Sequence, residues 1–424
     1  MLGTRPTVLS LSMKISSMKT NKLKIFNDPI YGFISVPDHL IFDIIQHPYF
    51  QRLRRISQMG LSYLVYPGAH HTRFHHALGA MHLMQKSVET LRSKGVDISH
   101  DEAMGLYLAI LLHDMGHGPF SHALEHSIVP QFKHETLSLW FMEALNQEYH
   151  GALDTAIAIF TGQHPKTWLT QLISGQFDMD RLDYLRRDSF YTGVAEGQIN
   201  ADRLIQMLQV VDGQLVLEEK GIYSVEKFLM ARRMMYWQAY LHKTSLVAEM
   251  MLSHVLQRAK DLVQKGKDIP LTGALSFFMR LPKDAILEPS EVIPRFALLD
   301  DTDVISALKS WVDHPDFVLS TLSRMILHRD LLRIQVSPDK FAPTDIDRLM
   351  AQTQEKWNIS ASEAHYFVFK GKIKNQAYDK VGTPIRILRK DGLVEDVVEA
   401  SDQMNLKALA KPVTKYYLCS PKDL

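Results

Sequence analysis

The stretch LYLAILLHDMGHGPFSH, Leu106 to His122, decides how this chain is read. Leu106 to Leu112 predict an apolar, buried helix that runs into adjacent His113 and Asp114 and stops at Gly116. Neighbouring helical residues point about 100° apart, yet at a helix end both can reach a common ion. Imidazole plus carboxylate suits a divalent first-row metal and hydrolytic chemistry. The bland alternative is a satisfied buried histidine beside a capping aspartate, and the flanking Gly-His-Gly-Pro argues against it. Two ligands are too few. A third imidazole and a distant carboxylate would complete a site with positions left for water.

The third ligand is expected in RFHHALG, Arg73 to Gly79, where His75 and His76 open a helix. The fourth is expected in FDMDRLDYLRRD, Phe177 to Asp188. There Asp180, Tyr184 and Asp188 share a face at i, i+4 and i+8, with Asp183 and Arg187 alongside. Spacing leaves His75 or His76, and Asp180 or Asp183, open. Of the 20 histidines, 11 fall between His70 and His134, which marks this region as a metal or proton-transfer centre.

The rest of the chain sets bounds. Its 424 residues are 46% hydrophobic and 22% charged, which excludes a disordered chain. Lys+Arg (48) and Asp+Glu (47) nearly cancel, so anion binding must come from local clusters, and a nucleic-acid role has weak support. Cys419 stands alone, which points to a reducing compartment, read as cytoplasmic. No apolar run approaches the roughly 18 residues of a membrane span.

The expected fold class is mostly α, with small β-hairpins and a carboxy-terminal α+β appendage. Residues 1–24 read as a disordered leader, 25–335 as a helical catalytic domain and 336–424 as a small α+β region. Helices are predicted over Phe74–Leu91, Asp101–Leu112, His134–Leu145 and, as one long element, Val225–Val263. Hairpins are predicted at Asp212-Gly213 and Asp391-Gly392, and strands over His365–Ile373 and Pro384–Leu388.

Hydrolysis of a phosphate ester also needs proton transfer and charge neutralisation. His117, His122, Glu125 and His134 surround the pair. Cations for a polyphosphate cluster at Arg52, Arg54, Arg55, Arg73, Arg181, Arg186 and Arg187. Arg232, Tyr236, Tyr240 and Lys243 form one further helical stripe, an odd face to bury in a core.

At this point the residues resemble a family. His76, His113-Asp114 and Asp180 reproduce in order the H…HD…D signature of the HD-domain metal-dependent phosphohydrolases. The longer strings FNDPIYG (Phe26–Gly32), FQRLRRISQMG (Phe50–Gly60), YPGAHHTRFHHALG (Tyr66–Gly79), HDMGHGPFSHALEH (His113–His126), MDRLDYLRRD (Met179–Asp188) and AYLHK (Ala239–Lys243) resemble its deoxynucleoside triphosphate triphosphohydrolase branch. The resemblance implies His76, His113, Asp114 and Asp180 as ligands of one divalent metal: Mn, Mg, Fe, Ni or Zn. It implies His117, Glu125 and His134 as acid–base groups. It places Gln58, Met59, Arg73, His122, Arg181, Tyr184, Asp188, Arg232, Tyr236, Tyr240 and Lys243 around a dNTP substrate. It also implies a nucleotide activator near Lys24, Asn27, Gln51 and Arg54, and a homo-oligomer, dimer or tetramer. Three positions depart from the vertebrate pattern: Leu241 stands for a base-contacting Gln, Gln46-His47 for a guanine-reading Asp, and Arg181 for a Lys.

The expected activity is hydrolysis of a dNTP to deoxynucleoside and tripolyphosphate. The alternatives are an HD phosphohydrolase acting on nucleoside monophosphates or a signalling nucleotide, and a nucleic-acid-binding regulator with a vestigial site.

Overall fold

The run Leu106–Leu112 is buried throughout and forms the end of a helix, His100–Leu112, in a computed structural model. The model describes residues 24–120, 133–282, 285, 287–380, 382–402, 406 and 409–424. Ser99 caps this helix, its Oγ accepting from the Glu102 amide while Glu102 accepts from Ser99 N–H. Asp101 therefore supplies first-turn charge and leaves the cap to Ser99. Beside it runs the helix Arg73–Ser93, whose residues are largely buried, and against that helix packs Met179–Thr192, capped by Asp178 and ended by Gly193 at φ 74°. The helix His134–Glu148 packs against Asp154–Phe160. These elements bracket the site, and the fold is mostly α.

The expected single helix over Val225–Val263 is broken. The chain forms Ile222–Met235, a π-turn at Tyr236–Tyr240, then Lys243–Gln264. The amide of Leu241 reaches back five residues to Tyr236 O at 2.7 Å, and His242 Nδ1 caps the next helix at Thr244 N. No Gly or Pro marks the break, so apolar periodicity runs straight through it.

Strand β1, Ile25–Asp28, pairs antiparallel with β2, Gly32–Ser35. Strands β3, Leu208–Val211, and β4, Gln214–Glu218, close at Asp212 and Gly213, both at positive φ as a type I′ turn requires. Strand β4 then pairs in parallel with β7, Arg386–Leu388, which turns at Asp391-Gly392 into β8, Val394–Asp396. The last sheet has the order β5, Arg333–Ser337; β9, Val413–Ser420; β6, Phe369–Asn375. The strand expected from His365 starts instead at Phe369, because Ala361–Ala364 form a capped helical turn. Ile34 through Cys419 contribute to one principal core, and Leu349, Met350, Ala364, Val368 and Leu418 form a smaller one. Among the described residues, no helix is long and apolar enough to cross a membrane.

Candidate metal centre and phosphate cavity

His113 and Asp114 leave the end of the His100–Leu112 helix, and two contacts fix that exit. Ser138 Oγ donates to His113 O at 2.5 Å and accepts from Gly116 N at 2.8 Å. A Cβ on Gly116 would strike His134 O and Ser138 N, so only glycine lets the turn sit this close. Arg52 is fully buried and donates to the carbonyls of Met115, His117 and Leu299. Its guanidinium thus shapes the loop after the pair and is spent on protein oxygens. Asp301 accepts from the Ser57 and Phe120 amides.

Four side chains converge here. His76 Nε2 lies 3.0 Å from Asp180 Oδ1 and 3.8 Å from Asp114 Oδ2. His113 Nε2 lies 3.2 Å from Asp114 Oδ1 and 3.4 Å from Asp180 Oδ1. His113 Nδ1 is 2.6 Å from Ile110 O, and a carbonyl only accepts, so this nitrogen carries the proton. His76 Nδ1 faces Asp183 Oδ2 at 2.8 Å in the same way. Both Nε2 atoms therefore point into the site, where they are buried without a well-aligned hydrogen-bond partner and would present lone pairs to a cation once deprotonated. His76, His113 and Asp114 hold their ligand atoms within 4.8 Å of one another. Two imidazoles and two carboxylates with fixed tautomers form a donor set that fits a divalent cation.

The electrostatics carry the same signature. Burial opposes charge at His76, but Asp180 and Asp183 outweigh it and push the imidazole up to about 10. His113 is raised against burial by Asp114 and Asp180. Asp114 and Asp180 sit well below the usual carboxylate range: burial works against this, and the adjacent imidazoles, with Arg73 at Asp114, overcome it. The centre demands positive charge, and protons supply it in the metal-free chain. His117 behaves oppositely, pushed down to about 3 by burial and then by Arg73.

A cavity of about 330 Å³ opens over the centre, lined by Gln58, Arg73, His113, Asp114, His117, His134, Glu135, Phe160, Ile173, Ser174, Asp180, Arg181 and Tyr184. Arg73 pairs with Asp114, and Arg181 with Asp178 and Gly175 O. Tyr184 meets Tyr240 edge-on at 6.1 Å, and Tyr236 meets Tyr240 at 5.2 Å. Asp188 stands behind them, accepting from Tyr240 OH at 2.7 Å and facing His71 Nε2 at 2.6 Å. Arg232 donates to Ala377 O. Met59 is buried, and Lys243 is exposed at the start of its helix. Neither lines the cavity, nor do Asp188, Arg232, Tyr236 and Tyr240. Further off, Arg54 donates to Gln51 Oε1 and lies over the Phe74 ring, which packs on Phe26 beside Asn27. Lys24 lies over Phe42. His122 and Glu125 fall outside the described residues.

Glu135, Phe160, Ile173, Ser174, Asp301 and the role of Arg52 escaped the sequence reading. Apart from Arg52, which lies within FQRLRRISQMG, none stands in a quoted motif; only their place on packed neighbours brings them to the site. His75 turns away, its Nδ1 3.0 Å from Thr72 Oγ1 at the helix start.

A family model described as an HD associated region matches residues 199–268. The crystal structure of a phosphohydrolase from Bacteroides thetaiotaomicron VPI-5482 is 48% identical, covers 95% of this chain and 100% of its own, and superposes with a TM-score of 0.90. An uncharacterized protein of Bacillus subtilis, YwfO, is 30% identical over 96% of this chain and 94% of its own. The deoxynucleoside triphosphate triphosphohydrolase SAMHD1 homolog of Dictyostelium discoideum is 32% identical over 66% of this chain and 58% of its own length. With its histidine–aspartate pair held at a helix end by packed neighbours, and with identity of this extent to a solved phosphohydrolase, the chain belongs to the HD-domain phosphohydrolases, in a branch that resembles SAMHD1.

Proposed function

We propose that the chain hydrolyses deoxynucleoside triphosphates, adding water across the bond from the α-phosphorus to the 5′ oxygen and releasing deoxynucleoside and tripolyphosphate. The observation that carries this reading is the position of Asp180 Oδ1, within 3.4 Å of both His76 and His113 Nε2, beneath a cavity wall bearing Arg73 and Arg181. The likeness to the Dictyostelium triphosphohydrolase supports it. His76, His113, Asp114 and Asp180 would hold one divalent ion of the Mn, Mg, Fe, Ni or Zn type; once bound, the ion supplies Lewis acidity to the phosphate and acidifies water.

The chain's own groups do the rest. Arg73 and Arg181 neutralise phosphate oxygens, exchanging their present carboxylate and carbonyl partners for the substrate. His117, neutral at working pH, accepts a hydrogen bond. His134, stacked on it, delivers a proton to the leaving 5′ oxygen. Tyr184, braced by Tyr240, closes against the sugar and disfavours a 2′-hydroxyl. The same resemblance supports a homo-oligomer, dimer or tetramer, with an activating nucleotide near Lys24, Asn27, Gln51 and Arg54.

The test is incubation with each dNTP and NTP plus Mn²⁺ or Mg²⁺, followed by chromatographic separation of products. Deoxynucleoside with intact tripolyphosphate supports the reading, as does loss of turnover in Asp114→Ala. Orthophosphate released from nucleoside monophosphates, or full activity in Asp114→Ala, overturns it.

A further inference from the structure

We infer that Asp28 and Arg187 are positioning residues for the metal centre: the amino-terminal hairpin is tied through one buried guanidinium to the carboxylate that orients His76. This rests on the metal-binding reading above and adds residues that lie outside the H…HD…D motif.

The geometry is a continuous chain of charged groups. Asp28 ends strand β1, and its Oδ1 accepts from the Ile30 and Tyr31 amides, so the hairpin turn fixes the carboxylate. Its Oδ2 accepts from Arg187 at 2.8 Å. Arg187, completely buried, turns its other two nitrogens to Asp183 in a forked pair, both at 2.9 Å. Asp183 Oδ2 then meets His76 Nδ1 at 2.8 Å. The Tyr31 ring lies against the Arg187 guanidinium at 5.6 Å. All four charged residues are buried.

Burying three full charges is a poor way to gain stability, because desolvation offsets most of the Coulombic attraction. What the chain does supply is direction. A lone carboxylate can rotate off an imidazole. Asp183, gripped at both oxygens by a guanidinium that is itself gripped by Asp28, cannot. Two carboxylates and one guanidinium leave a net negative charge behind His76, which strengthens its Nε2 as a donor toward a cation. Gly79 has the same explanation. It sits within the Arg73–Ser93 helix, where a Cβ would strike Asp183 and Arg187.

The test measures Mn²⁺ binding on the intact chain from the electron paramagnetic resonance signal of the free ion. Asp28→Asn keeps the shape and the turn acceptor and removes the charge. Its amide nitrogen faces the Arg187 donor, so we expect it to fold with a lowered melting temperature and to bind Mn²⁺ about tenfold more weakly, the lower range for loss of an outer-sphere partner. Asp183→Asn should weaken binding at least as much, and adding Asp28→Asn to it should weaken binding no further, since both act along one path. Asp202→Asn, which breaks an exposed pair with Lys86, should change nothing. If Asp28→Asn does not fold, Arg187→Lys, which keeps the cation and loses the fork, should show the same loss. A folded Asp28→Asn or Arg187→Lys protein with wild-type Mn²⁺ affinity overturns the inference, as does full additivity in the double variant. A wild-type protein that takes up no Mn²⁺ overturns the metal-binding reading itself, so the two failures are distinct.

Discussion

His117 stacks on His134, with ring centroids 4.1 Å apart and planes 18° from parallel. Two imidazolium ions cannot share so close a stack at neutral pH. Burial and Arg73 hold His117 neutral, down to about 3. In the mechanism we propose, His134 is the member of the stack that delivers the proton to the leaving oxygen. His134→Asn should lower kcat by roughly 10²–10⁴-fold and remove the alkaline limb of the pH–rate profile. His117→Asn should leave that limb in place. An unchanged limb in His134→Asn would assign the proton elsewhere.

Metal uptake should release protons. With His76 held at about 10 by its carboxylates, the metal-free centre is protonated at neutral pH, and a cation must displace that charge. Apparent Mn²⁺ affinity should rise with pH by about tenfold per unit for each proton displaced. Calorimetric titration in two buffers of different ionisation enthalpy counts the protons. Exhaustive chelation should abolish turnover, and added divalent metal should restore it.

Gly79→Ala should destabilise the protein even though alanine is the better helix former by about 1 kcal/mol. The added methyl meets the Asp183–Arg187 pair, and overpacking of this kind costs about 1–3 kcal/mol. A lower urea midpoint is the expected result. A raised midpoint would show that the pair moves aside freely.

Glu249 introduces a pH dependence of stability separate from catalysis. It lies on the Lys243–Gln264 helix beside Gly60, and burial pushes its carboxyl up to about 7. Its unfolded value is near 4.3, so the folded state binds the extra proton between these values. Its contribution is complete below about pH 4.3 and is lost as pH rises through about 7. Glu249→Gln should raise the melting temperature at pH 8 and change it little at pH 4.5. Parallel melting curves for both proteins across that range would refute this.

Local chemistry made part of the molecule legible in advance. Leu106–Leu112 reads as buried helix because every side chain is apolar or nearly so, and Asp212-Gly213 reads as a tight turn because both residues accept positive φ. Strands β1, β2, β5 and β9 were not legible. They are short or amphipathic, and β9 earns its central place from partners at Arg333–Ser337 and Phe369–Asn375. The break at Tyr236–Tyr240 was hidden because a π-turn needs no breaking residue.

The sequence by itself determined the helical class, the adjacency of His113 and Asp114, and the supply of histidines and arginines, since these follow from residue type and local spacing. Tertiary structure decided direction. Arg52 turned from a candidate phosphate ligand into a clamp on three carbonyls, His75 became a cap on Thr72, and Asp28 came to lie one guanidinium away from Asp183. A side chain's partner depends on which distant backbone packing brings within about 3 Å, and no local pattern encodes that distance.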